Sequence, residues 1–296
     1  MTSNERGRAA SAAILREQRQ IRRERLLASP ALIIGLCGFL VIVLLAVLVP
    51  ALSPVDPNAM AVSQRLQPPG AAGIFGTDEF GRDLFTRVMY GARVSLAVGC
   101  SVALLSCLAG TVIGIYASYF KVLDHILMRI CDGLIAIPGI LLAIALMAAL
   151  GPSSWNVVLA LTVVYTPSVA RIVRSSALVT RGLPYVEAAR VQGAGSPRIL
   201  WKLILPSVLS PLTVQASFIF AQAIISEASL SFLGAGIPAP AASWGNMLQA
   251  SKQVLTKGPW TAIFPGAAVV LCVLSLNLLG DGLRDYLDPR TGGKRG

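Results

Sequence analysis

The sequence predicts an all-α membrane protein with six transmembrane helices and both termini inside (N-in, C-in), and three observations predict it. Of its 296 residues, 55% are hydrophobic and only 13% charged, whereas an ordinary soluble domain carries roughly 25% charged residues. The charges cluster, which leaves windows long enough for the ~20 apolar residues that a helix needs to cross a hydrocarbon core. Lys and Arg fall unevenly on alternate loops, as the positive-inside tendency requires.

Residues 1–29 form a basic cytoplasmic segment with Arg6, Arg8, Arg16, Arg19, Arg22, Arg23 and Arg25. A cleaved signal peptide is the weaker reading of this start, because the basic lead is long and the apolar run behind it is itself long enough to span. The first span is 30–52, within a window free of charge from 26 to 55. An external segment, 53–93, follows. Its last stretch, DLFTRVMYGAR at 83–93, puts Leu84, Phe85, Val88, Met89 and Ala92 on one side of a helix, with Asp83 favourable at the N-terminal end. It is expected to lie at the membrane interface.

Residues 94–286 form a five-helix core. Its first helix occupies the charge-free run 94–120, and the run 133–171 is broken by Gly-Pro-Ser-Ser at 151–154, which makes two more. Between 206 and 252 the only charge is Glu227; a span ends near 234–240 and an external loop, 235–258, follows. In that loop SWGNMLQASKQVL (243–255) has Ser243 as N-cap and Trp244, Met247, Leu248, Val254 and Leu255 as an apolar stripe. It is expected to lie flat on the outer face with its Trp at headgroup level. Both interfacial segments are read either as surface seals or as docking elements for an external partner. The last span lies in 259–280, and a cytoplasmic tail, 287–296, closes the chain. In this order nineteen of the 25 Lys and Arg fall inside and six outside.

The same pattern excludes several functions. A net charge of +11 would suggest nucleic acid in a soluble protein, but here the charges mark loops, and no nucleic-acid partner is expected; membrane lipid is. Cys37, Cys100, Cys107, Cys131 and Cys272 lie in or beside apolar stretches without CxxC spacing, and His125 is the single histidine, so neither disulfides nor a metal site is expected. One histidine and no HExxH motif leave little support for a membrane enzyme. An ion-coupled carrier or a channel would need intramembrane carboxylates and inverted repeats, and the spans offer only Glu227 and Asp132.

The loop 171–206 is long, basic and internally patterned, with LPYVEAARVQGAGSPRILWKLILP at 183–206. Pro184 suits the first turn of a short helix through Glu187, Ala188 and Ala189, and Gly193 and Gly195 can supply the left-handed residue that ends it. Ser196 is then placed to cap a second helix with Pro197 at its first position, which returns the chain to the bilayer at Pro206. Small side chains at Ala188, Ala189 and Gly193 let another surface approach the backbone. Taken alone, Glu187 is better explained by a surface pair with Arg190 at i+3, worth a few tenths of a kcal/mol.

Glu187-Ala188-Ala189, then Gly193, then Leu203-Ile204-Leu205-Pro206 resembles the EAA loop of ABC importer permeases, a pattern that prefers Ile where Leu203 stands. FGTDEFGRD (75–83), EASLSFLGAGIPAP with SWGNML (227–248), and PWTAIFPG with NLLGDGLRDYLDPR (259–290) are similar to the dipeptide, oligopeptide and nickel branch of that family. The resemblance implies a type I ABC importer permease architecture in a bacterial inner membrane. It also implies a homologous second permease subunit, two cytoplasmic ATPase subunits and an extracytoplasmic substrate-binding protein. On this resemblance Tyr185, Glu187, Ala188, Ala189, Gly193, Gly195, Leu205 and Pro206 form the ATPase-coupling loop. Peptides are the implied cargo, with glutathione, opines or nickel chelates as alternatives. The chain has no GxxxxGK[ST] loop: Gly293-Lys294 is followed by Arg295, and Asp288 stands where the first glycine is required. ATP and Mg are therefore expected on partner subunits, and this chain is expected to need no cofactor and catalyse no reaction.

Within the spans, Gln215, Gln222, Ser226 and Ser229 fall within about a 60° stripe of one helix and are candidates to line the solute path or to bond neighbouring helices. Glu227 lies about 100° further round and is expected near the outer boundary, paired or protonated, because a lone charge at the bilayer centre costs a few kcal/mol. Asp132 lies three residues after Arg129, a spacing that permits a local ion pair, and is read as structural rather than as a proton relay. Asn277 is read as an interhelical hydrogen-bonder.

Overall fold

The computed structural model describes residues 29–287; the basic segment 1–28 and the tail readings at Asp288 and Gly293 to Arg295 lie outside the described residues. Helix α1 (Pro30–Leu52) is apolar on every side, with Ile34, Leu40 and Val47 exposed, the condition of a helix solvated by lipid. Only a narrow strip of it is buried, against the last helix.

Helix α2 runs unbroken from Leu84 to Tyr119, about 54 Å at 1.5 Å per residue. Asp83 starts it, its carboxylate accepting from the Thr86 N–H at 2.8 Å. The segment expected at the interface is the first part of this helix: Leu84, Val88, Met89 and Ala92 are buried against Trp244 and Phe264. An amphipathic stripe shows that one side leaves water, and here that side meets protein.

Helices α3 (Lys121–Ala136) and α4 (Gly139–Leu150) follow, bent by 95° at Ile137-Pro138. The third span is therefore broken, and its straight part α4 is about 18 Å long. Helix α5 (Ser154–Arg181) packs along α2. Gly110 and Gly114 of α2 permit this contact: a Cβ on either would run into Val169, Ala170 or Val173 of α5. Small residues four apart let two helices close to backbone distance in a membrane.

Helix α6 (Pro184–Val191) lies in the loop. The chain then helixes continuously from Ser196 to Phe232 as α7, through a π-helical stretch at Ile199–Ile204 just before Pro206. The Leu205 N–H reaches back five residues to the Leu200 carbonyl, a π-type bond that shifts the helix register. Helix α8 (Trp244–Ser251) is capped as read, Ser243 accepting from the Asn246 N–H at 3.2 Å. It does not lie flat on the surface. Trp244 is 1% exposed and its indole N–H donates to the Val88 carbonyl at 3.0 Å, while Val254 and Leu255 lie in turns beyond the helix. Helix α9 (Trp260–Leu287) completes the bundle against α1 and α7. Among the described residues five helices are long and apolar enough to span, and the bent pair α3–α4 makes six if it crosses as one span.

Candidate functional site

At the bundle end reached by α2, α5 and the start of α7, the loop 182–196 is anchored in the core by Val186. Val186 is fully buried in the core that contains Ile199, Leu200 and Ile204, while Tyr185, Glu187, Ala188 and Arg190 remain exposed and Val191 is 84% exposed. The helix is thus held by one face and presents the other.

Its end is set by Gly193 at φ +82°. The Gly193 N–H donates to Arg190 O and the Ala194 N–H to Ala189 O, both at 3.0 Å, the paired bonds of a Schellman termination. Gly195, by contrast, has φ −66°, so one glycine makes the turn and the second is ordinary backbone. Ser196 is the first residue of α7 rather than its cap; its hydroxyl reaches Tyr119 Oη at 3.4 Å. Leu205 is half-buried and Pro206 exposed, where the π-helical stretch passes into regular helix.

Sequence reasoning missed Tyr119. The guanidiniums of Arg181 and Arg190 lie 5.5 and 5.7 Å from its ring centroid, and Arg181 also donates to Ser118 O at 2.8 Å, a cation on the carbonyl end of α2. The last turn of α2 therefore grips both sides of the loop. An aromatic next to a span boundary carries no such signal in sequence, because its partners lie 62–77 residues away. Glu187 makes no ion pair with Arg190 among the described residues, although the two line one shallow cleft with Arg181.

The polar stripe of α7 is not gathered around one cavity. Ser226 shares a 2.6 Å hydrogen bond with the Tyr165 hydroxyl of α5, and exposed Gln222 lies beside that contact through its carbonyl. Gln215 lines a cleft with Phe218 and Arg284, and Ser229 a different one with Leu248 and Val269. Asp132 does not pair with Arg129: it bonds Arg171 of α5 at 2.6 Å, because the bend after α3 lays that helix across α5.

Toward the opposite end, Glu227 is fully buried, one turn and a half from the end of α7. It accepts from Ser95 Oγ at 2.9 Å and Ser231 Oγ at 2.8 Å, and the Trp244 N–H approaches the same Ser95 oxygen at 3.4 Å. Three helices, α2, α7 and α8, meet on one carboxyl group, and no basic side chain pairs with it among the described residues. Nearby, Asp78 holds Arg82 at 2.6 Å and Arg87 at 3.5 Å, fastening the 75–83 loop over a pocket of about 480 Å³ that Pro152 and Gln249 also line.

Residues 110–293 match the family described as binding-protein-dependent transport system inner membrane component, and residues 18–69 match the N-terminal TM domain of oligopeptide transport permease C. A putative peptide transport system permease protein of Brucella suis is 51% identical over 266 residues, 90% of each chain. A dipeptide transport system permease protein of Alkalihalophilus pseudofirmus is 44% identical, covering 87% of this chain and 85% of the relative. Among solved structures, the MetNI methionine ABC transporter in inward-facing conformations matches with TM-score 0.57 and 19% identity, over 68% of this chain and 96% of that one. At that identity the likeness is one of fold.

Proposed function

The chain belongs to the family of binding-protein-dependent transport system inner membrane components, and from that premise we propose that it is the permease of an ATP-driven importer of di- or oligopeptides. It is a transport component rather than an enzyme. On this reading its partners are a homologous second permease, two cytoplasmic ATPase subunits and an extracytoplasmic binding protein that delivers the peptide. Peptide cargo is supported by the peptide permeases that align with it over nearly its full length. Glutathione, itself a tripeptide, and opines fit the same architecture. Nickel-chelate uptake is a further alternative for the same architecture.

The observation that carries the mechanism is α6, seated on buried Val186 and ended by Gly193, with Tyr185 and Val191 facing outward. A short helix held on one side, with Tyr185, Glu187, Ala188, Arg190 and Val191 presented on the other, suits a groove in an ATPase subunit. Movement of that subunit would pass through α6 to α7 by way of Gly195, Leu205 and Pro206, and to α2 through Tyr119. Gln222 and Ser226, next to Tyr165, are the members of the polar stripe best placed to face the solute.

Purification of the intact complex from its own membranes, followed by identification of the accompanying chains, tests the partners. Reconstitution in liposomes tests the cargo: tritiated peptide is expected to accumulate only with ATP on the ATPase side and binding protein on the other. Accumulation by this chain alone would overturn the reading.

A further inference from the structure

Helix α7 starts at the 182–196 loop and ends at Phe232, so the residues just beyond it lie at the other end of the bundle. There, 237–244 form an arch with buried feet and an exposed crown. Pro238, Ala239, Pro240 and Ala241 are exposed, whereas Ile237, Ala242, Ser243 and Trp244 are buried. The feet stand in different parts of the interior: Ile237 in the cluster that holds Ile219 and Leu230, Trp244 in the one that holds Val88 and Cys272. Close backbone approach fixes both. A Cβ on Gly236 would come 2.5 Å from the Ser231 nitrogen, and one on Gly245 would come 2.7 Å from Ala228 Cα.

Both feet are tied to Glu227. The Ile237 N–H donates to Ser231 Oγ at 3.1 Å and the Trp244 N–H to Ser95 Oγ at 3.4 Å. Each hydroxyl has a single proton and gives it to a different oxygen of the carboxyl group, Ser231 to Oε1 and Ser95 to Oε2. Ser231 belongs to α7 and Ser95 to α2, so arch and carboxyl group close a ring across the two helices. Hydrogen bonds in series strengthen one another, the prolines of the crown have little freedom in φ, and a close-packed interior transmits strain. A load on the crown is therefore carried to the feet instead of being absorbed. Ser226, the residue before Glu227, holds the Tyr165 hydroxyl of α5 at 2.6 Å.

The crown also walls the pocket of about 480 Å³ lined by Glu79, Phe80 and Arg82. Charges of both signs beside apolar Phe80 and Pro238 suit a reversible contact with a soluble protein. We propose that the crown 238–241 is where an extracytoplasmic binding protein presses on this chain, and that Glu227 is the positioning residue that carries the load to the Ser226–Tyr165 contact. The inference rests on the import reading, and its test separates the two.

The complete importer is reconstituted with a mixture of di- to pentaalanine, and ATP hydrolysis is measured without binding protein and with an amount that cosedimentation shows to be saturating for each variant. Ser95→Ala cuts the ring at a fully buried position that no partner touches. It is expected to lower the stimulation by binding protein at least fivefold, while hydrolysis in its absence stays within twofold of the unsubstituted importer. Pro238→Gly combined with Ala241→Gly softens the crown at exposed positions and should have the same effect. Full stimulation in either variant would overturn the proposal. A parallel fall of basal and stimulated hydrolysis would overturn it too, marking the ring as a strut of the fold. Absence of stimulation in the unsubstituted importer would remove the import reading, and the proposal with it.

Discussion

At Gly193 the chain needs φ +82°, and nothing stands within 4 Å of where a Cβ would be. The cost of a side chain there is conformational rather than steric, roughly 1–2 kcal/mol for most L-residues and less for Asn. Gly193→Leu is therefore expected to insert normally but to lower peptide taken up per ATP hydrolysed, with Gly193→Asn retaining most of the coupling. Equal coupling in all three proteins would show that the turn does not present α6. Glu227 poses the opposite case, a group defined by what it touches. Glu227→Ala leaves the Ser95 and Ser231 hydroxyls without their buried acceptor, at about 1–3 kcal/mol per group, whereas Glu227→Gln keeps an acceptor oxygen. Thermal unfolding in detergent is expected to fall by several degrees for Ala and by less than half as much for Gln. An equal fall would mean that hydrogen bonding is not what Glu227 contributes.

Among the elements, α6 and the last turn of α2 form a clasp around Tyr119, and the clasp predicts its own perturbation. Tyr119→Ala removes the ring beneath Arg181 and Arg190, a loss of about 0.5–1 kcal/mol for each cation contact at an exposed site. Hydrogen exchange across 184–199 is expected to quicken in Tyr119→Ala, while Tyr119→Phe, which keeps the ring, should remain close to the parent protein. Unchanged exchange in the Ala variant would locate the loop's support in Val186 alone. The loop was legible in sequence because its signals are local: Pro184 starts a helix, Gly193 ends it, and each acts within a few residues. Asp83 and Ser243 were legible as caps for the same reason. What those caps begin was misread. Periodicity in 83–93 and 243–255 marks a face that leaves water, but it does not distinguish lipid headgroups from Trp244 and Val88 packed on one another. The Gly110–Gly114 contact, the Tyr119 clasp and the Asp132–Arg171 pair join residues dozens of positions apart, and local pattern does not encode such distances.

For the whole molecule the decisive question is whether α3–α4 crosses the membrane, because a helix pair bent by 95° can equally enter and leave by one side. The two ends of the pair answer it. Lys121 lies two residues after Tyr119, beneath the loop held by Arg181. Pro152, two residues after α4, lines the same pocket as Asp78, Arg82 and Gln249 at the opposite end of the bundle. The pair therefore connects the two ends and counts as one span, for which α4 alone, at about 18 Å, is too short without the turns of α3 before the bend. Six crossings among the described residues put residues 29 and 287 on one side, and the positive-inside tendency leads us to propose that the 171–206 loop is cytoplasmic, where an ATPase can reach it. In a chain stripped of its five cysteines, a thiol at exposed Val122 and one at exposed Pro152 are expected to react with a membrane-impermeant maleimide from opposite sides. Val191→Cys should behave as Val122→Cys does. If Val122 and Pro152 label from the same side, the pair is re-entrant, the crossings among the described residues number five, and α6 and residues 29 and 287 can no longer all share one compartment.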